Sequence, residues 1–284
     1  MNILVFGQTG QVARALIAAG PDAGVQITAL GRNAADLSDP DACAAAITQS
    51  NADAVINAAA WTAVDAAEEN EAAARVINAD APGAMALACT AKGIPFIHIS
   101  TDYVFDGTEG PAWQTDDATG PLGAYGRTKL AGEQAVVAAG GTHAILRTAW
   151  VFDATGKNFA TTMLRLSQTR NALTVVGDQI GGPTPADAIA DACITMAKAM
   201  TAGQDASGIY HFSGAPGVSW ADFARAIFDV AKRDVTVTDI TTADYPTPAK
   251  RPANSRLDCT SIEETFGIKR PDWRAALTKM LGQL

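Results

Sequence analysis

The opening of the chain constrains its fold more than any other stretch. Ile3 to Phe6 is a short apolar run of strand formers without polar alternation, the pattern of a strand covered on both faces. Gly7 and Gly10 follow at once, and an apolar helical pattern through Val12, Leu16 and Ile17 stops at Gly20-Pro21. Strand, glycine turn and helix in that order describe a dinucleotide-binding unit. Gly7 permits the tight turn, Gly10 lets the backbone approach a pyrophosphate, and Ala13 is small enough for helix and strand to pack closely. The helix N-terminus would offer amide donors and a partial positive charge to that pyrophosphate. The spacing Gly-x-x-Gly-x-x-Ala is looser than the usual fingerprint, so the order of the elements carries the argument.

The alternation continues. Apolar strand candidates lie at Gln26 to Leu30, Ala54 to Asn57, Pro95 to Ser100 and Ala144 to Thr148. Helical patterns separate them at Pro40 to Gln49, Glu68 to Ala91 and Tyr125 to Ala139. This predicts an α/β fold, a Rossmann-type doubly wound parallel sheet with ligands outside the carboxyl ends of its strands. Beyond residue 150 the pattern is less regular: Leu173 to Gly177 and Gly208 to Phe212 read as strands, Ala186 to Met200 and Trp220 to Lys232 as helices. Ser219 and Asp222 resemble a capping box opening the last of these. We expect residues 1–150 to form the NAD(P)-binding domain. Residues 151–284 should form a smaller substrate-binding lobe, partly interleaved with the sheet, and the Pro- and Thr-rich segment 241–252 a crossing loop.

A formal charge of -9 argues against nucleic acid or an anionic membrane as the main partner, so an anionic ligand would need a local basic pocket. No apolar stretch approaches membrane-spanning length, and Met1 leads straight into the first strand without a signal segment, which predicts a cytoplasmic protein. Cys43, Cys89, Cys193 and Cys259 lack paired spacing and read as reduced structural thiols. His98, His143 and His211 are too dispersed to suggest a metal site.

Each segment with chemical potential sits at a strand end. The second strand ends in Gly31-Arg32-Asn33, where a carboxylate would bind the ribose hydroxyls of NAD; Arg32 offers a cation to a 2′-phosphate instead. That favours NADP(H), with NAD(H) left open because Asp36 could reach the adenosine. Asn57 is followed by Ala58, Ala59 and Ala60, whose small side chains let a flat cofactor lie against the backbone. Ser100, Thr101, Asp102 and Tyr103 end another strand, and Trp150 follows the next. Trp150 and Tyr103 are candidates for packing on a sugar or base, or equally for packing the lobe. Tyr125 and Lys129 stand one helical turn apart, so both side chains share a face. A cation near the phenol would lower its pKa and make it a better proton donor or acceptor.

In this order Gly7, Gly10, Thr101, Tyr125 and Lys129 make the chain resemble the extended short-chain dehydrogenase/reductase superfamily. Five blocks resemble its dTDP-4-dehydrorhamnose reductase family in particular: Asn57 to Asp65, Ser100 to Gly107, Tyr125 to Glu133, Asn158 to Leu166 and Arg251 to Leu257. The resemblance implies an NAD(P)H-dependent reduction of the 4-keto group of a dTDP-6-deoxy-hexulose, with a dTDP-sugar as partner. It implies Tyr125 as proton donor, Thr101 as hydrogen-bond donor to the same oxygen and Lys129 on the nicotinamide ribose. Candidate cofactor contacts are Gly7, Thr9, Gly10, Gln11, Val12, Arg32, Asp36, Leu37, Ala58, Ala59, Ala60, Ser100, Tyr125 and Lys129. Candidate substrate contacts are Thr101, Asp102, Tyr103, Trp150, Arg251 and Asn254, the last as a neutral donor. Lys250, Arg251 and Arg256 form a dense basic cluster suited to a diphosphate. Some relatives dimerise through magnesium held by glutamates. Arg14 stands where such a carboxylate would be sought, so no metal is expected, while a homodimer stays open. An epimerase or 4,6-dehydratase is the nearest rival, although Tyr103 occupies the place where a dehydratase would put Glu. An NADP-binding regulatory subunit of methionine adenosyltransferase is the non-enzymatic one.

Overall fold

In the computed structural model, which describes residues 1–282, successive residues of the first strand feed opposite layers. This strand, β1 (Asn2–Phe6), sends Ile3 and Val5 to one core cluster and Leu4 and Phe6 to another. Side chains alternate across a strand, so both faces of the sheet are covered. The chain continues through α1 (Gln11–Ala19), β2 (Gln26–Leu30), α2 (Pro40–Gln49) and β3 (Ala54–Asn57). Next come α3 (Val64–Glu69), α4 (Glu71–Arg75), a π-helical turn (Val76–Asp80) and α5 (Ala81–Lys92). Then β4 (Phe96–Thr101) and a 3-10 turn (Asp102–Val104) precede α6 (Ala124–Ala138) and β5 (His143–Thr148).

The second half carries β6 (Val151–Phe152), α7 (Phe159–Leu166), β7 (Ala172–Val176), β8 (Ile180–Gly181) and β9 (Thr184–Pro185). After these come α8 (Ala186–Thr201), β10 (Gly208–His211), β11 (Val218–Ser219), α9 (Trp220–Val230), β12 (Thr236–Ile240) and β13 (Asn254–Ser255). Two helices, α10 (Thr260–Phe266) and α11 (Trp273–Leu281), follow. Ser219 caps α9, its hydroxyl accepting from the Asp222 amide at 2.9 Å.

Six parallel strands form the main sheet in the order β2-β1-β3-β4-β5-β10. The chain leaves β1 in one direction for β2 and returns on its other side as β3. The crevice at this reversal is where such folds hold ligands. The sheet reaches past residue 150: β10 pairs with β5, and Ile189 and Cys193 of α8 share a buried cluster with Val12 and Leu16 of α1. A separate cluster around Phe152, Phe223, Trp273 and Leu277 holds the rest of the second half together. Among the described residues, no helix is long and apolar enough to cross a membrane.

The segment read as one helix from Glu68 to Ala91 is in fact broken. Asn70 leaves the helical region (φ -130°, ψ 35°), and a π-helical turn inserts before Pro82. The π turn aims Asn78 inward. Its Oδ1 accepts from the Trp61 amide at 2.8 Å and its Nδ2 donates to Thr128 Oγ1 at 3.1 Å. The loop after β3 is thereby tied to α6.

Candidate active site

Gly7 adopts φ +112°, and a Cβ there would lie 3.3 Å from Ala13 Cβ and from the Ala58 carbonyl, so only glycine suits this close approach. Gly10 caps α1 without any side-chain hydrogen bond, and no acidic residue occupies the first turn. The amides beginning at Gln11 and Val12 are therefore left for an anion. Val12 itself is buried in the core. Thr9 and Gln11 also have internal partners: the Thr9 carbonyl accepts from Arg14 at 2.7 Å, and Gln11 Oε1 accepts from Asn158 Nδ2 at 2.8 Å. Across the crevice lie the partly exposed Ala58, Ala59 and Ala60. Arg32 is exposed beyond β2. Asp36 is held below the usual carboxylate range mainly by the Ser38 amide, with Arg32 adding to it, and Leu37 is buried beside it.

Two of the catalytic candidates, Thr101 and Tyr125, meet at the end of β4. Thr101 Oγ1 donates to Asp102 Oδ1 at 3.0 Å and accepts from the Tyr103 amide at 3.2 Å. The Tyr103 and Tyr125 rings meet edge to face with centroids 5.5 Å apart. Burial pushes the Tyr125 phenol up to about 12; the neighbouring Thr101 hydroxyl pulls it down, and Asp102 adds to the rise. The expected lowering through Lys129 is absent: its Nζ is turned to the Ile99 carbonyl and the His98 ring, so desolvation of the phenol meets no nearby cation. A phenol so placed stays protonated at neutral pH and is a proton donor, not a base. Burial pushes Asp102 up to about 6 against the hydroxyls of Ser255 and Thr101, and its Oδ2 makes no hydrogen bond.

Helix α6 presents Tyr125, Lys129 and Glu133 on one face, each one turn from the next. Lys129 is 2% exposed and donates to the Ile99 carbonyl at 2.7 Å. Glu133 forms a buried ion pair with Arg147 at 2.7 Å and accepts from Ser100 Oγ at 2.5 Å. Ser100, offered as a cofactor contact, therefore has its hydroxyl committed to α6.

At the far side, the 241–252 segment does cross to the site. The Ala249 amide donates to Asp65 Oδ1 at 3.2 Å, and Arg251 Nη2 pairs with Asp65 Oδ2 at 2.8 Å. Arg251 Nη1 is buried without a partner. Its charge also acts on the Tyr103 phenol, which burial pushes well above the ordinary tyrosine range. The basic cluster does not act as one patch: Lys250 is exposed, and Arg256 bonds Asn254 Oδ1 and the Gly110 carbonyl. One N–H of Asn254 Nδ2 goes to the Pro111 carbonyl at 2.8 Å. Trp150, at φ +51°, stacks on Trp220 with centroids 3.4 Å apart, so one face of its ring serves lobe packing.

A family model described as the RmlD substrate binding domain matches residues 1–284. The chain belongs to this family. It is 45% identical over 291 residues to the dTDP-4-dehydrorhamnose reductase of Sinorhizobium fredii, covering 100% of this chain and 98% of that protein. It is 39% identical over 294 residues to that of Escherichia coli K12, covering 100% and 98%. A crystal structure of a dTDP-4-dehydrorhamnose reductase from Clostridium acetobutylicum superposes with a TM-score of 0.93 at 35% identity, covering 100% of this chain and 99% of the other. One from Bacillus anthracis, solved in complex with NADP, superposes with a TM-score of 0.91 at 29% identity, covering 99% of each chain.

In this member of the RmlD family, sequence reasoning left several polar residues of the site unassigned. Glu133 was legible as the next step of the Tyr125-Lys129 series. Arg147 and Asp65 belonged to segments already noted for other residues. His98 carried no local signal, because its partners are distant in the chain and nothing in its flanking sequence marks it.

Proposed function

We propose that this chain reduces the 4-keto group of dTDP-4-dehydro-L-rhamnose with NADPH, giving dTDP-L-rhamnose in the last step of dTDP-rhamnose biosynthesis. The single observation that carries the reading is the Tyr125 phenol, held protonated beside the Thr101 hydroxyl at the carboxyl end of the sheet. NADP(H) fits the residues present. The glycine cradle and uncapped α1 would take its pyrophosphate, Ala58 to Ala60 its flat face, and Arg32 its 2′-phosphate, with NADH as a poorer alternative.

When bound, the cofactor supplies the hydride that adds to the ketone carbon. Tyr125 gives its proton to the ketone oxygen, which completes the alcohol, and recovers one from solvent afterwards. Thr101 donates a hydrogen bond to the same oxygen and stabilises the charge developing there. Lys129 serves the ribose hydroxyls. Arg251, with an unsatisfied guanidinium nitrogen, is the candidate for the diphosphate, and Asp102 and Tyr103 for the sugar. Asn254 acts through Arg256 and the 110–111 loop, and Trp150 closes the lobe side. On this reading residues 151–284 provide most of the substrate lobe, and the protein works in the cytoplasm, where its buried thiols remain reduced. A homodimer is compatible with it.

The test is to mix the protein with NADPH and the 4-keto sugar nucleotide. One cofactor should be oxidised per sugar reduced, whereas an epimerase or a regulatory subunit would consume none. Tyr125→Phe should lower turnover by about a hundredfold or more while leaving NADPH binding nearly intact. Unchanged turnover would remove the phenol from the mechanism.

A further inference from the structure

Lys129 closes a buried hydrogen-bond chain that the chemistry above does not use. Its other members are Asn57 at the end of β3 and His98 within β4, at 1% and 0% exposure. The direction of the chain follows from its first link. The Ala59 amide can only donate, and its partner at 3.1 Å is Asn57 Oδ1. The other arm of that side chain, Nδ2, therefore faces His98 Nδ1 at 3.2 Å. An amide nitrogen also only donates, so Nδ1 accepts and the ring proton sits on Nε2. Nε2–H in turn faces Lys129 Nζ, 3.1 Å away. An ammonium has three donors and no acceptor, so it would meet that N–H donor to donor. An amine has a lone pair and can accept it.

We propose that Asn57 and His98 are positioning residues for Lys129: the amide selects the Nε2–H tautomer, which holds Nζ in register and favours its amine form. The inference rests on the proposed function, in which Lys129 belongs to the active site and its charged form is the working one at neutral pH. Burial acts in the same direction, pushing Lys129 down to about 8 and His98 well below its ordinary value. Glu133, one turn along the same helix, opposes this. The other charged groups around α6 turn elsewhere: Arg147 of β5 to Glu133, Glu68 of α3 to the Ala124 amide, Glu71 of α4 to Arg127, and Asp102 to Thr101. Two charge states of Lys129 thus lie close together at working pH. That suits a group one helical turn from the proton-donating Tyr125.

Nitrogen-15 NMR of histidine-labelled full-length protein tests the tautomer, with His98→Gln assigning the signal among three histidines. A neutral His98 protonated on Nε2 is expected; protonation on Nδ1 would overturn the proposal. Kinetics test its consequence. Asn57→Ala removes the selecting amide without adding charge, and His98→Gln can turn an amide oxygen toward the ammonium. In both, the alkaline fall of kcat/KM, which reports the free enzyme, should move up by roughly one pH unit. An alkaline limb unmoved in both variants, with NADPH binding intact, also sinks the idea. Should Asn57→Ala fail to fold, the tautomer and the His98→Gln profile still decide. Failure of the parent reading looks different: Tyr125→Phe would keep its turnover whatever tautomer His98 adopts.

Discussion

Asp102 is a carboxylate at 3% exposure with one oxygen unsatisfied, and its neighbours only partly offset the desolvation. Its pKa is about 6 in the fold against 3.8 in its ordinary state. The folded chain therefore binds more protons than the unfolded one between those values, and stability falls as pH rises through them. Above about pH 6 the whole cost is present, on the order of 2–3 kcal/mol. We expect Asp102→Asn to be more stable than the parent by roughly 2 kcal/mol at pH 8 and indistinguishable from it at pH 3, as read by urea unfolding at both. On the proposed function activity should fall in the same variant, since Asp102 is there a candidate for the sugar. Asp102 could be found from its strand-end position alone. The internal ties of Ser100, Asn254 and Gln11 could not, since a side chain's partner across the fold leaves no mark on its neighbours in sequence.

At the scale of elements, α6 does the positioning, and its glycines show how tightly. A Cβ at Gly126 would strike the Tyr103 carbonyl, and one at Gly132 the Asn78 carbonyl. The helix thus lies directly on the 3-10 turn and the π turn, with Glu133 as its polar anchor below. Arg147, besides pairing with Glu133, sits 5.0 Å from the centre of the Phe105 ring. Removing one partner of a buried pair leaves the other charge uncompensated, which costs about 3–5 kcal/mol. Glu133→Ala should lose that much stability in urea unfolding, and replacing Arg147 by Met in the same chain should recover most of it. Strands β1 to β5, β7 and β10 and helices α2, α6, α8 and α9 were legible from apolar periodicity and end signals, while β12, with its polar threonines and Asp239, was not. The break after Asn70 was not, because an alanine-rich run has helical propensity throughout and too little polar contrast to mark an interruption. Nor were the two-residue strands of the second half, which no period can reveal.

Across the whole molecule, the acidic bulk puts weight on Arg251, the residue proposed for the diphosphate. Asp65 of α3 pairs with it, so on the proposed function a ligand phosphate would share or take over that contact. Arg251→Ala should raise KM for the sugar nucleotide by about tenfold or more, with kcat and KM for NADPH within about twofold, in steady-state kinetics. A rise confined to the cofactor would place the residue elsewhere. The strand β10 has a different kind of consequence. The nucleotide-binding half borrows its sixth strand from residues 208–211 and a covering helix from 186–201. On the ribosome, the β5 edge and the outer side of α1 stay bare until well over two-thirds of the chain has emerged. A chain cut at residue 150 therefore leaves the nucleotide-binding half short of its sixth strand and of the helix packed on α1.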